Sequence, residues 1–139
     1  MPFSLYLETA YVSLFINSRK GLLAPLYHSC YEYKNVPMMG PPAAMMKARP
    51  AAAGLTVNTE GNDPPDHLCV ELEYLYFLLT KGWEGDDESL TEAGSFAANV
   101  MLPWISEFKK RLLPLQDSEF YASVASLLQI VLKIIGDNG

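Results

Sequence analysis
Cysteine is nearly absent from this sequence: Cys30 and Cys69 are the two thiols among 139 residues. Two cysteines with no CxxC spacing exclude a disulfide framework and fit a reducing compartment. Histidine is equally sparse, with His28 and His67 alone. Glu71 follows His67 at helical metal-ligand spacing, but only His28, Cys30 and Cys69 remain to complete a zinc set, so no metal and no cofactor are expected. Cationic residues are few: 10 Lys and Arg stand against 16 Asp and Glu, for a net charge of −6. That balance argues against a nucleic-acid backbone as partner and is compatible with a cationic peptide. The 9 glycines are scattered among turns and form no phosphate-cradling loop. The N-terminus lacks a basic targeting region, and Glu8 interrupts its first apolar run. The apolar tail from Phe120 to Ile135 is broken by Ser123, Ser126, Gln129 and Lys133, too short and too polar for a membrane span. A soluble, cytoplasmic chain is expected.

What the chain has in abundance is apolar surface, with 50% hydrophobic and 12% aromatic residues. That excludes disorder and suffices for one core, a single domain over residues 1–139. The stretch from Asn62 to Leu75 organises the rest. Asp63 is placed to cap a helix, and Pro64 and Pro65 to fill its first turn, where a missing N–H has no partner to lose. Asp66 is placed to bond back to the cap. Leu68, Leu72, Leu75 and Leu79 then recur at i, i+4, i+7 and i+11, a buried helical stripe. His67 and Glu71 lie one turn apart on a neighbouring face, within pairing reach.

The other helices follow from the same periodicity. Phe3, Leu7, Tyr11 and Leu14 predict an amphipathic helix over about residues 4–16, ended by Asn17–Gly21. A second is expected from Ala43 to about Ala53 behind Pro41 and Pro42. Pro50 should kink or shorten it, and Gly54 should terminate it in the left-handed conformation with Leu55 as the following contact. Met38, Met39, Met45 and Met46 suit either an adaptable binding surface or core filling. The central helix is expected to stop at Gly82, before a solvated acidic connector over Glu84–Glu88. Further helices are predicted over Ser89–Asn99, from Pro103 to near Pro114, and after an Asp117-Ser118-Glu119 cap. The last carries Phe120, Val124, Leu127, Leu128, Val131 and Ile135 on one stripe. With no strand pattern of comparable strength and no internal repeat, the expected fold is an all-α bundle of about six helices.

Catalytic chemistry finds little support. His28 and Ser29 are adjacent, but sequence neighbours rarely form a productive nucleophile–base pair, and no oxyanion-hole motif accompanies them. Asp66, Glu71 and Glu73 have the residue types of an acid–base set without a nucleophile or cofactor motif. An enzyme is not expected, and a small metal hydrolase ranks last among the readings.

The string Asp63-x-Pro65-Asp66-His67-x-x-x-Glu71-Leu72 resembles the signature of the TorD/DmsD family. These are cytoplasmic chaperones that mature molybdenum-cofactor oxidoreductases exported by the twin-arginine pathway. The family pattern is usually written Glu-Pro-Pro-Asp-His, followed by Glu-Leu and an aromatic or methionine; Asp63 stands where it has Glu. Tyr11-x-x-Leu14-Phe15, Pro25-x-Tyr27-His28-Ser29-x-Tyr31, Trp104-x-x-x-Phe108 and Phe120-Tyr121 are similar to further family segments, with His28 where Glu is common. The resemblance extends from Tyr11 to about Leu132.

The resemblance implies a non-enzymatic chaperone that binds a twin-arginine leader, two arginines followed by an apolar stretch. Such a receptor needs carboxylates for guanidinium forks beside an apolar groove. By motif position, leader binding falls to Pro64, Asp66, His67 and Glu71, and Gly40, Ser29 and Tyr11 match other recurrent positions. The alternative is a helical adaptor or regulatory module that has lost client binding. Family members carry more helices upstream of the Tyr11 segment, so an N-terminally truncated member, a fragment, or a protein that completes its fold with a second chain is expected. Its first-helix stripe would then be covered by a homodimer, with exchange of helices between copies as an economical route.

Overall fold
Helical periodicity is realised throughout the computed structural model, which describes residues 2–16, 23–32, 41–55 and 65–138. Helix α1 (Phe3–Tyr11) continues as a π-helical turn over Val12–Ile16, and α2 (Ser29–Glu32) is a single turn. The longer helices are α3 (Pro41–Ala52), α4 (Leu68–Trp83), α5 (Asp87–Ser95), α6 (Leu102–Leu112) and α7 (Glu119–Asn138). A second π-helical stretch, Phe96–Met101, joins α5 to α6 in one unbroken rod. Among the described residues this makes six helical stretches, and extended pairing is confined to an isolated antiparallel bridge between Tyr27 and His67. The expected cap Asp63 and the methionines Met38 and Met39 lie outside the described residues.

The rod replaces the two separate helices expected on either side of Pro103. A proline inside a helix has no N–H to give the preceding turn. Here the turn before it is widened: Leu102 N–H reaches back five residues to the Ala97 carbonyl, a π-type bond. Helix α3 likewise runs through Pro50 and ends two residues later, where Gly54 (φ 84°) follows and Leu55 N–H donates to the Pro50 carbonyl at 2.8 Å.

Gly82 does not stop α4. It is buried inside the helix, and a Cβ there would collide with the Leu90 side chain of α5. Its role is close packing. The stop is Gly85, at φ 111°, with Asp86 N–H donating to the Lys81 carbonyl at 3.1 Å. Asp86 then caps α5 by accepting from Ser89 N–H, and Asp87 and Glu88 occupy its first turn, so half of the acidic connector is a helix start. Arg49 of α3 donates both prongs of its guanidinium to Glu92 of α5, at 3.0 and 2.9 Å, and the Tyr74 hydroxyl of α4 donates to the same carboxylate at 2.7 Å. Three helices are tied at that point.

One contiguous core joins Leu14, Phe15, Met46, Tyr74, Leu78, Phe96, Trp104, Ile105, Phe108 and Leu132. Two predicted stripes are rotated relative to it. In α4 the fully buried line is Glu71, Tyr74, Leu75, Leu78 and Gly82, while Leu68, Leu72 and Leu79 are partly buried at its edge. In α7 the inward residues are Ala122, Ala125 and Leu132, flanked by partly buried Tyr121, Leu128 and Ile135. Phe120, Val124, Leu127 and Val131 face outward. Small side chains inside let α7 approach closely: a Cβ on Gly136 would stand 2.8 Å from that of Ala98. Ser118 buries its hydroxyl against the Leu115 carbonyl at 2.8 Å instead of capping α7. By length and composition the 19 residues Glu119–Asp137, with mean hydropathy 1.4 and 17% buried, would suffice to cross a membrane, which the polar interruptions had argued against.

Candidate functional site
The chain before α2 decides where α4 begins. Ala24 N–H donates to the Leu14 carbonyl at 2.9 Å, which anchors this strip beneath the first π-helical turn. Leu68 N–H then donates to Leu26 O at 2.8 Å, and His28 N–H to Asp66 O at 3.1 Å. Backbone from two distant parts of the sequence therefore runs side by side. That pairing holds His67 extended (φ −62°, ψ 143°) and delays the helix to Leu68, well past the expected start at Asp63. The cap is His67 itself, whose Nδ1 accepts from Cys69 N–H at 3.0 Å. The Tyr27 ring meets the His67 ring edge-on at 4.9 Å.

Asp66 does not fold back toward a cap. It is fully buried, and its Oδ2 accepts from Ser29 N–H at 2.7 Å. Its other oxygen and the Ser29 hydroxyl are buried without a hydrogen-bond partner among the described residues. Glu71 points inward as well. Its Oε2 lies 3.0 Å from His28 Nδ1, and its Oε1 accepts from Trp104 Nε1–H at 2.8 Å. The expected pairing with His67 gives way to these two partners, because the first turn of α4 aims Glu71 at the core. The His28 ring stacks on Trp104 at 5.4 Å and 15°. Burial pushes the Glu71 carboxyl above its usual range, the hydrogen bonds from His28 and Trp104 pull it back, and the nearby Asp66 adds to the rise.

Tyr31 completes the aromatic wall. Its hydroxyl donates to the Pro25 carbonyl at 2.6 Å, and the Arg111 guanidinium sits 4.5 Å over its ring. Burial raises the Tyr31 phenol, partly offset by Arg111. His28, Tyr31 and Trp104 face Met45 and Val100 across a cavity of about 430 Å³. It opens beside Asn99, Pro103 and Glu107, which are exposed. Glu107 shares its carboxylate with Lys110 at 3.1 Å. The arrangement is an aromatic slot with one accessible acid at its mouth, suited to an apolar side chain with a cationic neighbour.

Ser29, Asp66, His67 and Glu71 are thus brought together. Tyr11 is not among them: its ring packs on Phe15 at 5.1 Å and Tyr121 at 6.1 Å, on the α1–α7 side. Pro64 and Gly40 lie outside the described residues. Among the described residues no group of three or more His, Cys, Asp or Glu is gathered as a metal site. Sequence reasoning missed His28 and Trp104 as the partners of Glu71. The available signal was Glu71 itself, an acid beside an apolar helical stripe that would need a donor wherever it was buried.

Comparison with known proteins covers the same segments. Residues 4–110 match the family described as the nitrate reductase delta subunit. The chain is 30% identical over 129 residues to chaperone protein TorD of Vibrio vulnificus, covering 89% of this chain and 60% of that protein. To chaperone protein TorD of Vibrio cholerae it is 27% identical over 128 residues, covering 88% and 57%. Its fold is similar to the crystal structure of an Archaeoglobus fulgidus protein assigned to redox enzyme maturation, with a TM-score of 0.63 and 25% identity, covering 96% of this chain and 69% of that one. The chain spans about 60% of the length of the curated relatives it matches.

Proposed function
We propose a function from one premise: the chain belongs to the nitrate reductase delta subunit family, and its relatives include TorD chaperones. It acts as a non-enzymatic, cytoplasmic maturation chaperone that binds the twin-arginine leader of a molybdenum-cofactor oxidoreductase before export. The observation that carries this reading is convergence. Three segments that resemble family strings, Pro25–Tyr31, Pro65–Leu72 and Leu102–Phe108, meet around Glu71, and its two partners His28 and Trp104 line one cavity.

In this reading Asp66 and Glu71, both fully buried, are positioning residues. They hold Ser29 and His28 against the start of α4 and so set the cavity wall. An apolar side chain of the leader enters between Tyr31, Met45 and Val100. Glu107 at the mouth takes a guanidinium fork in competition with Lys110. His67 borders the same junction. Gly40, Pro64 and Tyr11 keep the roles their family positions imply, and Tyr11 meets only a client segment long enough to reach the α1–α7 side.

Calorimetry with a twin-arginine leader peptide tests this. Replacing both arginines with lysine, or making Glu107→Gln, is expected to weaken binding about tenfold, the loss of one charge-assisted hydrogen bond. Val100→Trp should fill the cavity and abolish binding. Equal affinity for the arginine and lysine peptides, or full binding by Val100→Trp, overturns the proposed site. An adaptor that has lost its client would give no heat with any leader.

A further inference from the structure
The cavity beside Trp104 has two long walls, and one ion pair joins them. Pro41, Pro42 and Met45 of α3 form one wall, and Val100, Trp104 and Glu107 of the rod from α5 to α6 form the other. Arg49 lies one turn beyond Met45 on α3, about 6 Å further along the axis and on the same face. Its guanidinium donates to both oxygens of Glu92 on the rod, at 3.0 and 2.9 Å. It also stands 5.5 Å from the ring centre of Phe96, one turn further along the same rod. The receiving side of this clamp is fixed in place. Phe96 is fully buried and edge-on to Tyr74 at 4.8 Å, and the Tyr74 hydroxyl donates to Glu92 at 2.7 Å. Among the described residues no other side-chain hydrogen bond joins α3 to the rod.

We propose that Arg49 is a positioning residue for the cavity. Its clamp on Glu92 and Phe96 sets the spacing of the two walls, and so decides which client side chains enter between Met45 and Val100. This rests on the reading of the cavity as the leader site. Arg49, Glu92 and Tyr74 line a separate cavity of about 330 Å³, so they act on the client only through α3 and the rod. Apolar burial also holds α3, since Met46 is fully buried, but that attraction has no direction and lets a helix roll. A planar guanidinium forked on a carboxylate fixes distance and rotation together. Because Met45 and Arg49 share a face of α3, any roll that parts Arg49 from Glu92 also moves Met45 at the cavity wall.

Trp104 is 3% exposed on the wall opposite Met45, so acrylamide quenching of its fluorescence in a Trp83→Phe background reports the spacing with no client present. Arg49→Met keeps an apolar stem and removes the fork. It should raise the quenching constant at least about twofold with the far-ultraviolet spectrum unchanged, and Glu92→Gln should move it the same way. Arg49→Lys, which keeps the charge without the fork, should fall between Arg49→Met and the wild type. Gly85→Ala, destabilised where its Cβ meets open space, should quench like the wild type. Calorimetry with a twin-arginine leader peptide should then show Arg49→Met binding about tenfold more weakly, with Arg49→Lys again intermediate. Unchanged quenching in Arg49→Met and Glu92→Gln, or an equal rise in Gly85→Ala, overturns the proposal. Raised quenching with leader affinity unchanged upholds the clamp and overturns the reading of the cavity as the leader site.

Discussion

At the junction leading into α4 the protein buries Ser29, His28, Asp66 and Glu71, while along α7 it leaves Phe120, Val124, Leu127, Ile130 and Ile134 in solvent. Folding physics alone favours the opposite in both places: polar groups cost free energy when buried, and apolar groups gain it. The two regions depart from that default differently. Around Glu71 the junction is held by mutual satisfaction, in which one carboxylate oxygen meets His28 and the other Trp104, so loss of any of the three strands the others. The outward face of α7 contributes little to the fold of one chain, so its composition is free to serve contact with something else. A buried acid and an exposed apolar stripe are thus both informative, the first about positioning and the second about association.

The contrast predicts unequal sensitivity. Glu71→Ala should cost about 3 kcal/mol in denaturant unfolding, because it leaves the Trp104 N–H and His28 facing a void. A loss under about 1 kcal/mol would show that the network is not structural. Gly82→Ala should cost about 2–3 kcal/mol through collision with Leu90. Gly85→Ala should cost about 1 kcal/mol, from backbone strain alone at a position with open space. Equal values for the two glycines would contradict the packing role given to Gly82.

A smaller effect concerns pH. The folded-state pKa of Glu71 is raised by burial above its ordinary value of 4.5, so the folded protein holds this proton after the unfolded chain has released it. Stability from this group is therefore fullest below pH 4.5 and falls as pH rises through the window above it. Urea unfolding of wild type and Glu71→Gln from pH 4.5 to 7 should show wild type losing ground as pH rises, since Gln carries no proton to lose. A constant difference would contradict the burial argument. The smallest effect belongs to the outward face of α7: Leu127→Ser should leave the stability of the protein within about 0.5 kcal/mol. A larger loss would mean that α7 presents this side to its own core.

The helices themselves were legible because periodicity is local. Gly54 as a terminator and the apolar stretches of α3 and α4 needed no distant partner to be recognised. The start of α4 was not legible, because His67 is held extended by Tyr27, 40 residues away. The partners of Glu71 lie 43 and 33 residues away in sequence, and no spacing rule reaches that far. In α7 both faces are apolar, and periodicity cannot choose between them. The side packed inward is the one whose alanines permit close approach, and the bulkier side stays out. Gly82 and Gly85 show the same limit at short range, since a glycine for close packing and a glycine for a left-handed turn look alike until the neighbouring helix is in place.

The central claim is that the family-like segments build one client-facing site around Trp104, away from the exposed end of α4. Two tryptophans make this directly observable: Trp104 is 3% exposed and donates to Glu71, while Trp83 is 76% exposed. In a nitrogen-15 correlation spectrum the indole N–H of Trp104 should be protected from solvent exchange and that of Trp83 should not. Titration with a twin-arginine leader peptide should shift the Trp104 indole resonance and leave Trp83 in place. A shift at Trp83 with Trp104 unmoved, or binding that disturbs neither, would contradict the account.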